Sequence, residues 1–377
     1  MMAKTPQSRA AQRLVVPRLN RPDPWLLVAT AGLAGLGLVM VFNASYFYAQ
    51  ERFDDPFLFV RKHVVAMFIG CCLLAVTSRL RVQWFEKYAL GLLAASFASL
   101  VLLFFVGITR NNASSWIPLG PVNLQPSEFA KIAIVLYLAR SIARHRDEME
   151  GFRNGILRHV TVVGICASLI AVQPDVGTAI VLLSVLALML FVGGARIPHL
   201  VTLGLCAVPV LTVAIAIAPY RLNRIRALFD PWAFRYDIAF QLVQSLMAFG
   251  SGGWTGVGLG ESQQKLLFLP EAHTDFIFSV IGEEMGLAGV ALVLGLFVML
   301  GARGFRIAFR HPDPFASMLA LGITVAILVE VAVNVGVAIG LLPTTGLALP
   351  FLSYGGSALV RVMIQIGILS ALSRMTG

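Results

Sequence analysis

Ten apolar stretches, each near the ~20 residues needed to cross a hydrocarbon core, follow one another at roughly 25–47, 62–78, 88–107, 127–143, 157–173, 175–193, 199–218, 274–300, 315–340 and 357–373. Segments of this length satisfy their own backbone hydrogen bonds in lipid as helices. The pattern predicts an all-α fold: a polytopic integral membrane protein of about ten transmembrane helices, with a large extracytoplasmic loop between helices 7 and 8. Pro174 is the only clear break between the fifth and sixth stretches, and the second and tenth are short, so nine spans is the alternative count. Only 13% of the 377 residues are charged and 58% are hydrophobic, against about one quarter charged in soluble domains, which excludes a soluble enzyme. Charges this scarce make each one beside an apolar run informative.

The net charge of +10, from 29 basic and 19 acidic residues, has to be tested against topology before it says anything about partners. No basic stripe or stacking-aromatic module supports nucleic-acid binding. With the N-terminus inside, the inner segments hold Lys4, Arg9, Arg13, Arg18 and Arg21, then Arg79, Arg81 and Lys87, then Arg140, Arg144, Arg146, Arg153 and Arg158, then Arg196, then Arg303, Arg306 and Arg310, and last Arg374. The short outer loops and helix mouths hold only Arg52, Arg61, Lys62, Arg110 and Lys131. This asymmetry places both termini in the cytoplasm. Residues 1–24 are basic and proline-broken, with no apolar core ahead of a small-residue cleavage site, and read as a disordered cytoplasmic tail. Residues 25–373 form the membrane domain and 374–377 a cytoplasmic C-terminus. Cys71, Cys72, Cys166 and Cys206 all fall in apolar runs and read as small core residues.

Function is expected in the outer loops, of which 219–274 is the longest, followed by 107–127 and 341–356. Within the longest, Phe240, Val243, Leu246 and Met247 recur at helical spacing, which predicts an amphipathic helix at the outer surface. A glycine-rich bend and re-entry into the membrane follow. The glycine run lacks the GK[ST] ending of a nucleotide-binding loop.

On this topology the fourth, sixth, eighth and tenth spans all begin at the outer face, carrying Glu128 and Lys131, Asp175, Asp275, and Ser353, Tyr354 and Ser357 with Arg361 one turn deeper. Four helix N-termini with Lys131, Arg361 and the loop cations can cradle an anion such as a diphosphate. Each member also has a plainer reading. Asp175 and Asp275 can simply cap helices; Glu128 and Lys131 can form a local ion pair; Glu330 and Arg361 can neutralise each other inside the membrane; Glu283 and Glu284 can be packed polar contacts. Arg221, Arg224 and Arg226, and Lys265 in the glycine-rich segment, are either a solvated face or phosphate contacts. Asp275, in PEAHTDFIF where the long loop meets the membrane, can act as a general base toward a substrate hydroxyl, with His273 and Glu271 beside it. The same three residues are also candidate ligands for a divalent cation, Mg or Mn.

The strings WIPLG and QPSEFAK, QPDVGTA, YRLNRI and FDPW, QLVQSLMAFGSGG, GVGLGESQQKLLFLPEAHTDFIFSVIGEEMGLAG and LPTTGLALPFLSYGGS occur in order across most of residues 25–373. In them the chain resembles the SEDS family of cell-wall polymerases, and is more similar to its division members than to its elongation members. The resemblance implies a peptidoglycan glycosyltransferase of the bacterial inner membrane acting on lipid II, an undecaprenyl-diphosphate disaccharide pentapeptide. Its implied partners are a class B penicillin-binding protein, a transpeptidase, and other divisome proteins at the septum. It implies that Asp275 is essential, and it carries over Glu128, Lys131, Asp175, Arg221, Arg224, Gln241, Gln244, Ser245, Lys265 and His273 as substrate-binding residues. The family usually has a basic residue before the tryptophan of the first string, where this chain reads Ser114, Ser115, Trp116 and supplies no cation. An α-linked donor and a β-1,4 product imply one inverting displacement, Asp275 taking the proton of the acceptor 4-hydroxyl. A lipid II flippase, an elongation-type polymerase and a scaffold that only holds partners are the competing readings.

Overall fold

The computed structural model describes residues 21–106, 108–110, 113–119, 122–216 and 219–375; most of the N-terminal tail and the last two residues of the C-terminus lie outside them. Ten helices coincide with the ten expected spans: α1 (Pro24–Phe53), α2 (Leu58–Thr77), α3 (Val82–Val106), α4 (Pro126–Arg144), α5 (Arg158–Val172), α6 (Val176–Val192), α7 (Ile197–Ala216), α10 (Ile277–Arg310), α11 (Pro314–Ala338) and α12 (Gly356–Ser373). Among the described residues, seven helices are long and apolar enough to cross a membrane, while α6 and α7 are apolar but shorter. The remaining one, α4, carries Glu128 and Lys131 within its first two turns. The chain does break at Pro174, so the fifth and sixth spans are separate helices.

Sequence chemistry sets the ends. Asp23 accepts hydrogen bonds from the N–H groups of Trp25 and Leu26, with Pro24 in the first turn of α1, and Asp313 caps α11 ahead of Pro314 in the same way. The N–H of Asp23 donates to Ser373 Oγ at 3.1 Å, so the start of α1 and the end of α12 meet on one face of the bundle. Ion pairs between elements gather there too: Arg303 with Asp23, Arg144 with Glu86, Arg158 with Glu148 and Arg196 with Glu150.

Two features depart from the helical expectation. The 107–127 loop holds a three-stranded antiparallel sheet, β1 (Ile108–Arg110), β2 (Ala113–Leu119) and β3 (Val122–Leu124), ordered β1-β2-β3. Asn111-Asn112 and Gly120-Pro121 separate the strands in sequence, a turn signal that loop length masks. The 219–274 loop contains two helices, α8 (Pro219–Phe229) and α9 (Phe240–Gly252). α9 packs into protein rather than lying free: Leu242, Val243, Ser245 and Ala248 are buried, while Met247, expected on the apolar face, is 45% exposed. The cysteines need the same correction. Cys166 is buried, but Cys71, Cys72 and Cys206 are exposed on their helices rather than in the core.

The glycine-rich bend is spliced into α10. Gly286 sits at φ +60, ψ −159 and breaks the helix. The carbonyls of Glu283 and Glu284, which Leu287 and Ala288 would take in an unbroken helix, accept instead from the N–H groups of Val257 (3.0 Å) and Gly258 (3.1 Å). The freed N–H groups of Leu287 and Ala288 donate to the carbonyls of Gly253 (2.9 Å) and Trp254 (3.1 Å). Backbone approaches this close need glycine: a Cβ on Gly256 would lie 2.0 Å from the Glu284 carbonyl oxygen. The 253–276 segment, which carries Asp275, is thereby fixed onto α10.

Candidate active site

At the loop-bearing end, α4, α6, α10 and α12 all begin, and the 341–356 segment packs between them. A Cβ on Gly177 at the start of α6 would touch Leu347 at 2.8 Å, and one on Gly346 would lie 3.8 Å from Asp275 Oδ2. Asp275 therefore faces the backbone of the 344–347 segment across a narrow gap. Arg224 of α8 donates to the Thr344 carbonyl at 2.7 Å, bringing a loop cation to the same mouth. Upstream, Glu271 adopts φ +55, a costly conformation for a residue with a side chain. Its carbonyl accepts from the N–H groups of Thr274 and Asp275, both at 3.1 Å, and its carboxylate from Thr274 Oγ1 at 3.0 Å.

Burial, with the Glu271 carboxylate adding to it, pushes the Asp275 carboxyl up to about 7, against the opposing pull of the Thr274 hydrogen bond and Arg224. A base poised near neutral pH is the value proton abstraction favours. His273 packs into an aromatic cluster. Its ring is buried among Tyr48, Phe59 and Tyr354, with centroids 5.2, 4.8 and 5.8 Å away, and its carbonyl accepts from the Tyr354 N–H at 2.8 Å. Burial also pushes the imidazole below its ordinary value. No three His, Cys, Asp or Glu side chains among the described residues converge as an ion site, His273, Glu271 and Asp275 included.

Beneath the mouth the sparse membrane charges close into a ring. Lys131 pairs with Glu128 at 2.8 Å and with Glu330 at 2.7 Å; Arg361 pairs with Glu128 at 2.9 Å and with Glu330 at 2.6 Å. Arg361 also donates to Gln365 Oε1 at 2.9 Å. The two local pairings expected from sequence are thus one alternating, neutral set joining α4, α11 and α12. All four residues are at most 5% exposed, and the ring takes up the countercharge of Lys131 and Arg361 that the sequence reading assigned to an anion at the mouth.

A second buried set fixes the loop. Lys265 Nζ donates to Asn43 Oδ1 (2.5 Å), the Gly260 carbonyl (2.6 Å) and Glu284 Oε1 (3.0 Å), and Asn43 also donates to Glu284. Glu283 accepts from the Ser262 hydroxyl and from the Gln263 N–H at 3.0 Å. Lys265, expected at the substrate, here holds the glycine-rich segment to α1 and α10. Ser245 is likewise internal, sharing a 2.6 Å hydrogen bond with Ser279 and donating to the Ala338 carbonyl at 2.5 Å. Asp175 caps α6 through the Thr178 N–H (3.1 Å) and accepts from Ser127 Oγ at 3.1 Å, tying the starts of α6 and α4 together. Gln241 and Gln244 are half-buried on α9. Arg221 lies on α8, but its side chain is outside the described set, as are those of Ser114 and Ser115.

Sequence reasoning missed Asn334. Its buried amide donates to the Asp275 carbonyl at 2.9 Å and to the Leu347 carbonyl at 2.7 Å. The available signal was a lone amide in an apolar span, one turn beyond Glu330.

Residues 24–377 match the FtsW/RodA/SpoVE family, described as "Cell cycle protein". The chain belongs to the FtsW/RodA/SpoVE family. It is 43% identical over 358 residues, covering 94% of each chain, to a Trichlorobacter lovleyi protein named "Probable peptidoglycan glycosyltransferase FtsW". It is 39% identical over 355 residues to Bacillus subtilis "Stage V sporulation protein E", covering 94% of this chain and 97% of that one. Among solved structures it is similar, at a TM-score of 0.78 and 30% identity over 94% of this chain and 98% of the other, to a chain from "Structural coordination of polymerization and crosslinking by a peptidoglycan synthase complex". Thermus thermophilus RodA matches at a TM-score of 0.68 and 29% identity, over 94% and 97% of the two chains. FtsW/RodA/SpoVE membership accounts for the polytopic helical fold.

Proposed function

We propose that the protein is a peptidoglycan glycosyltransferase that polymerises lipid II into β-1,4 glycan at the outer face of the bacterial inner membrane, during septal wall synthesis. The observation that carries this reading is Asp275, a carboxyl raised to about 7 at the rim of the bundle, facing the 344–347 backbone with Arg224 alongside. Asp275 accepts the proton of the acceptor 4-hydroxyl as that oxygen attacks the donor's anomeric carbon; the C–O bond to the diphosphate breaks, and the configuration inverts. Arg224, Arg221 and the N-termini of α4, α6, α10 and α12 supply countercharge to the leaving diphosphate. The lipid tail stays in the bilayer. The relatives' names and the synthase-complex likeness support both the activity and a transpeptidase partner, a class B penicillin-binding protein within the divisome.

Closure of the mid-membrane charges into a neutral ring favours this reading over a flippase, which would need them along a path. The test uses the full-length protein in proteoliposomes with labelled lipid II, scored for glycan chains and for leaflet exchange. The wild type is expected to make glycan and Asp275→Asn none, with the variant inserted and folded. Leaflet exchange without glycan in the wild type would establish the transporter reading instead.

A further inference from the structure

We infer that Asn334 is a positioning residue that sets the gap between Asp275 and the 344–347 segment. Both hydrogens of one amide nitrogen are committed, one to the carbonyl of Asp275 itself and one to that of Leu347 on the facing segment. The two walls of the gap are therefore tied to a single point on α11. That point is rigid: Asn334 is 2% exposed, and Glu330 one turn below is locked to Lys131 and Arg361. The wall that Asn334 holds also carries the Thr344 carbonyl to which Arg224 is anchored and the Gly346 backbone facing Asp275 Oδ2. A branched or apolar side chain of similar size fills the volume of Asn334 but leaves two buried carbonyls without donors. The walls then have to separate to reach water.

The charged groups acting on Asp275 are Glu271 from its own turn and Arg224 from α8. Arg224 moves with the 344–347 wall and Glu271 with the Asp275 wall. Widening the gap withdraws the cation but also admits water to Asp275, and relief of burial, the largest cause of its raised value, outweighs the loss of Arg224 and favours the ionised carboxylate.

The inference rests on the glycosyltransferase reading, so its experiment has one arm that needs no turnover. In full-length protein, Asn334→Leu is expected to lower kcat on lipid II on the order of 10–100-fold, the loss that a misplacement of about 1 Å brings, with KM within about twofold. The pH midpoint of activity is expected to move downward. Asn334→Ser keeps one donor without adding volume and is expected to fall between Asn334→Leu and the wild type. Independently, the infrared C=O band of protonated Asp275, assigned by its absence in Asp275→Asn, is titrated in each variant and is expected to show the same downward move. If wild-type protein makes no glycan, the glycosyltransferase reading fails while the infrared titration still decides the positioning. An unmoved Asp275 midpoint in Asn334→Ser, or activity loss in proportion to lost folded protein with the wild-type pH profile, would overturn the inference and leave Asn334 as a packing residue.

Discussion

Replacing Asp275 by asparagine is expected to stabilise the fold while abolishing turnover, and the size of the gain follows from its surroundings. The carboxyl rises from an ordinary 3.8 to about 7 because burial, and then Glu271, disfavour its charged form. The gap between those values, at ~1.4 kcal/mol for each pH unit, is worth ~4 kcal/mol. Asp275 is partly exposed, and solvent screening discounts this to ~2 kcal/mol. The sign follows from proton counting. Between about pH 4 and pH 7 the folded chain holds a proton that the unfolded chain has released, so this residue's contribution to stability is full below the unfolded value and is lost as pH rises through the folded one. Above about pH 8 both states are ionised and the dependence is flat. The assay is thermal unfolding of purified protein in one detergent, from about pH 4.5 to pH 8.5, on wild type and Asp275→Asn in parallel. The two are expected to melt together at the acid end and to separate as pH rises, the variant melting higher. Curves that remain parallel across the range would refute the burial argument.

Removing one member of the ring, as in Glu330→Gln, leaves Lys131 and Arg361 sharing one carboxylate in a buried site and is expected to cost ~3–5 kcal/mol; the paired change Lys131→Met with Glu330→Gln should cost less than the sum of its parts in a double-mutant unfolding cycle. Lys265→Met strands Glu284 and is expected to act through folding, lowering the yield of folded protein while the surviving fraction keeps its KM for lipid II, which separates its anchoring role from substrate contact. Gly286→Ala, at φ +60 with a Cβ 2.4 Å from the Gly256 nitrogen, is expected to expel the inserted loop, read as faster hydrogen exchange at Val257 and Gly258. Arg224→Gln removes the cation that opposes the rise of Asp275, so the acid limb of the activity profile is expected to move to higher pH; an unmoved limb would place Arg224 too far from Asp275 to act on it.

The ten helices were readable because a bilayer leaves the backbone no other way to satisfy itself, and the structure starts two of them, α1 and α11, on the capping chemistry of Asp23-Pro24 and Asp313-Pro314. What sequence could not supply was which distant charges meet. Glu128 and Lys131 look like a self-contained i, i+3 pair, and only the packing of α4 against α11 and α12 turns them into half of a ring. Lys265 reads as a loop cation because its partners, Asn43 and Glu284, lie on two other helices. The glycine run gave notice of close backbone approach but not of its target, since the two rungs of α10 that it replaces are opened only by the left-handed Gly286.

These absorbed charges change what the mouth can do. Once Lys131 and Arg361 are neutralised in the ring and Lys265 is committed to Glu284, the described cation that still bears on Asp275 is Arg224, held to the Thr344 carbonyl. The helix starts and the α8 cations then carry most of any anion recognition. A diphosphate held by backbone dipoles and the α8 cations is held by groups that its departure does not leave buried and unpaired. The ring and the spliced loop, by contrast, cannot change partners without stranding a charge or a carbonyl. With the ring below and the 344–347 segment tied to α11 through Asn334, accommodation of a diphosphate at the rim falls to α8, which carries Arg224.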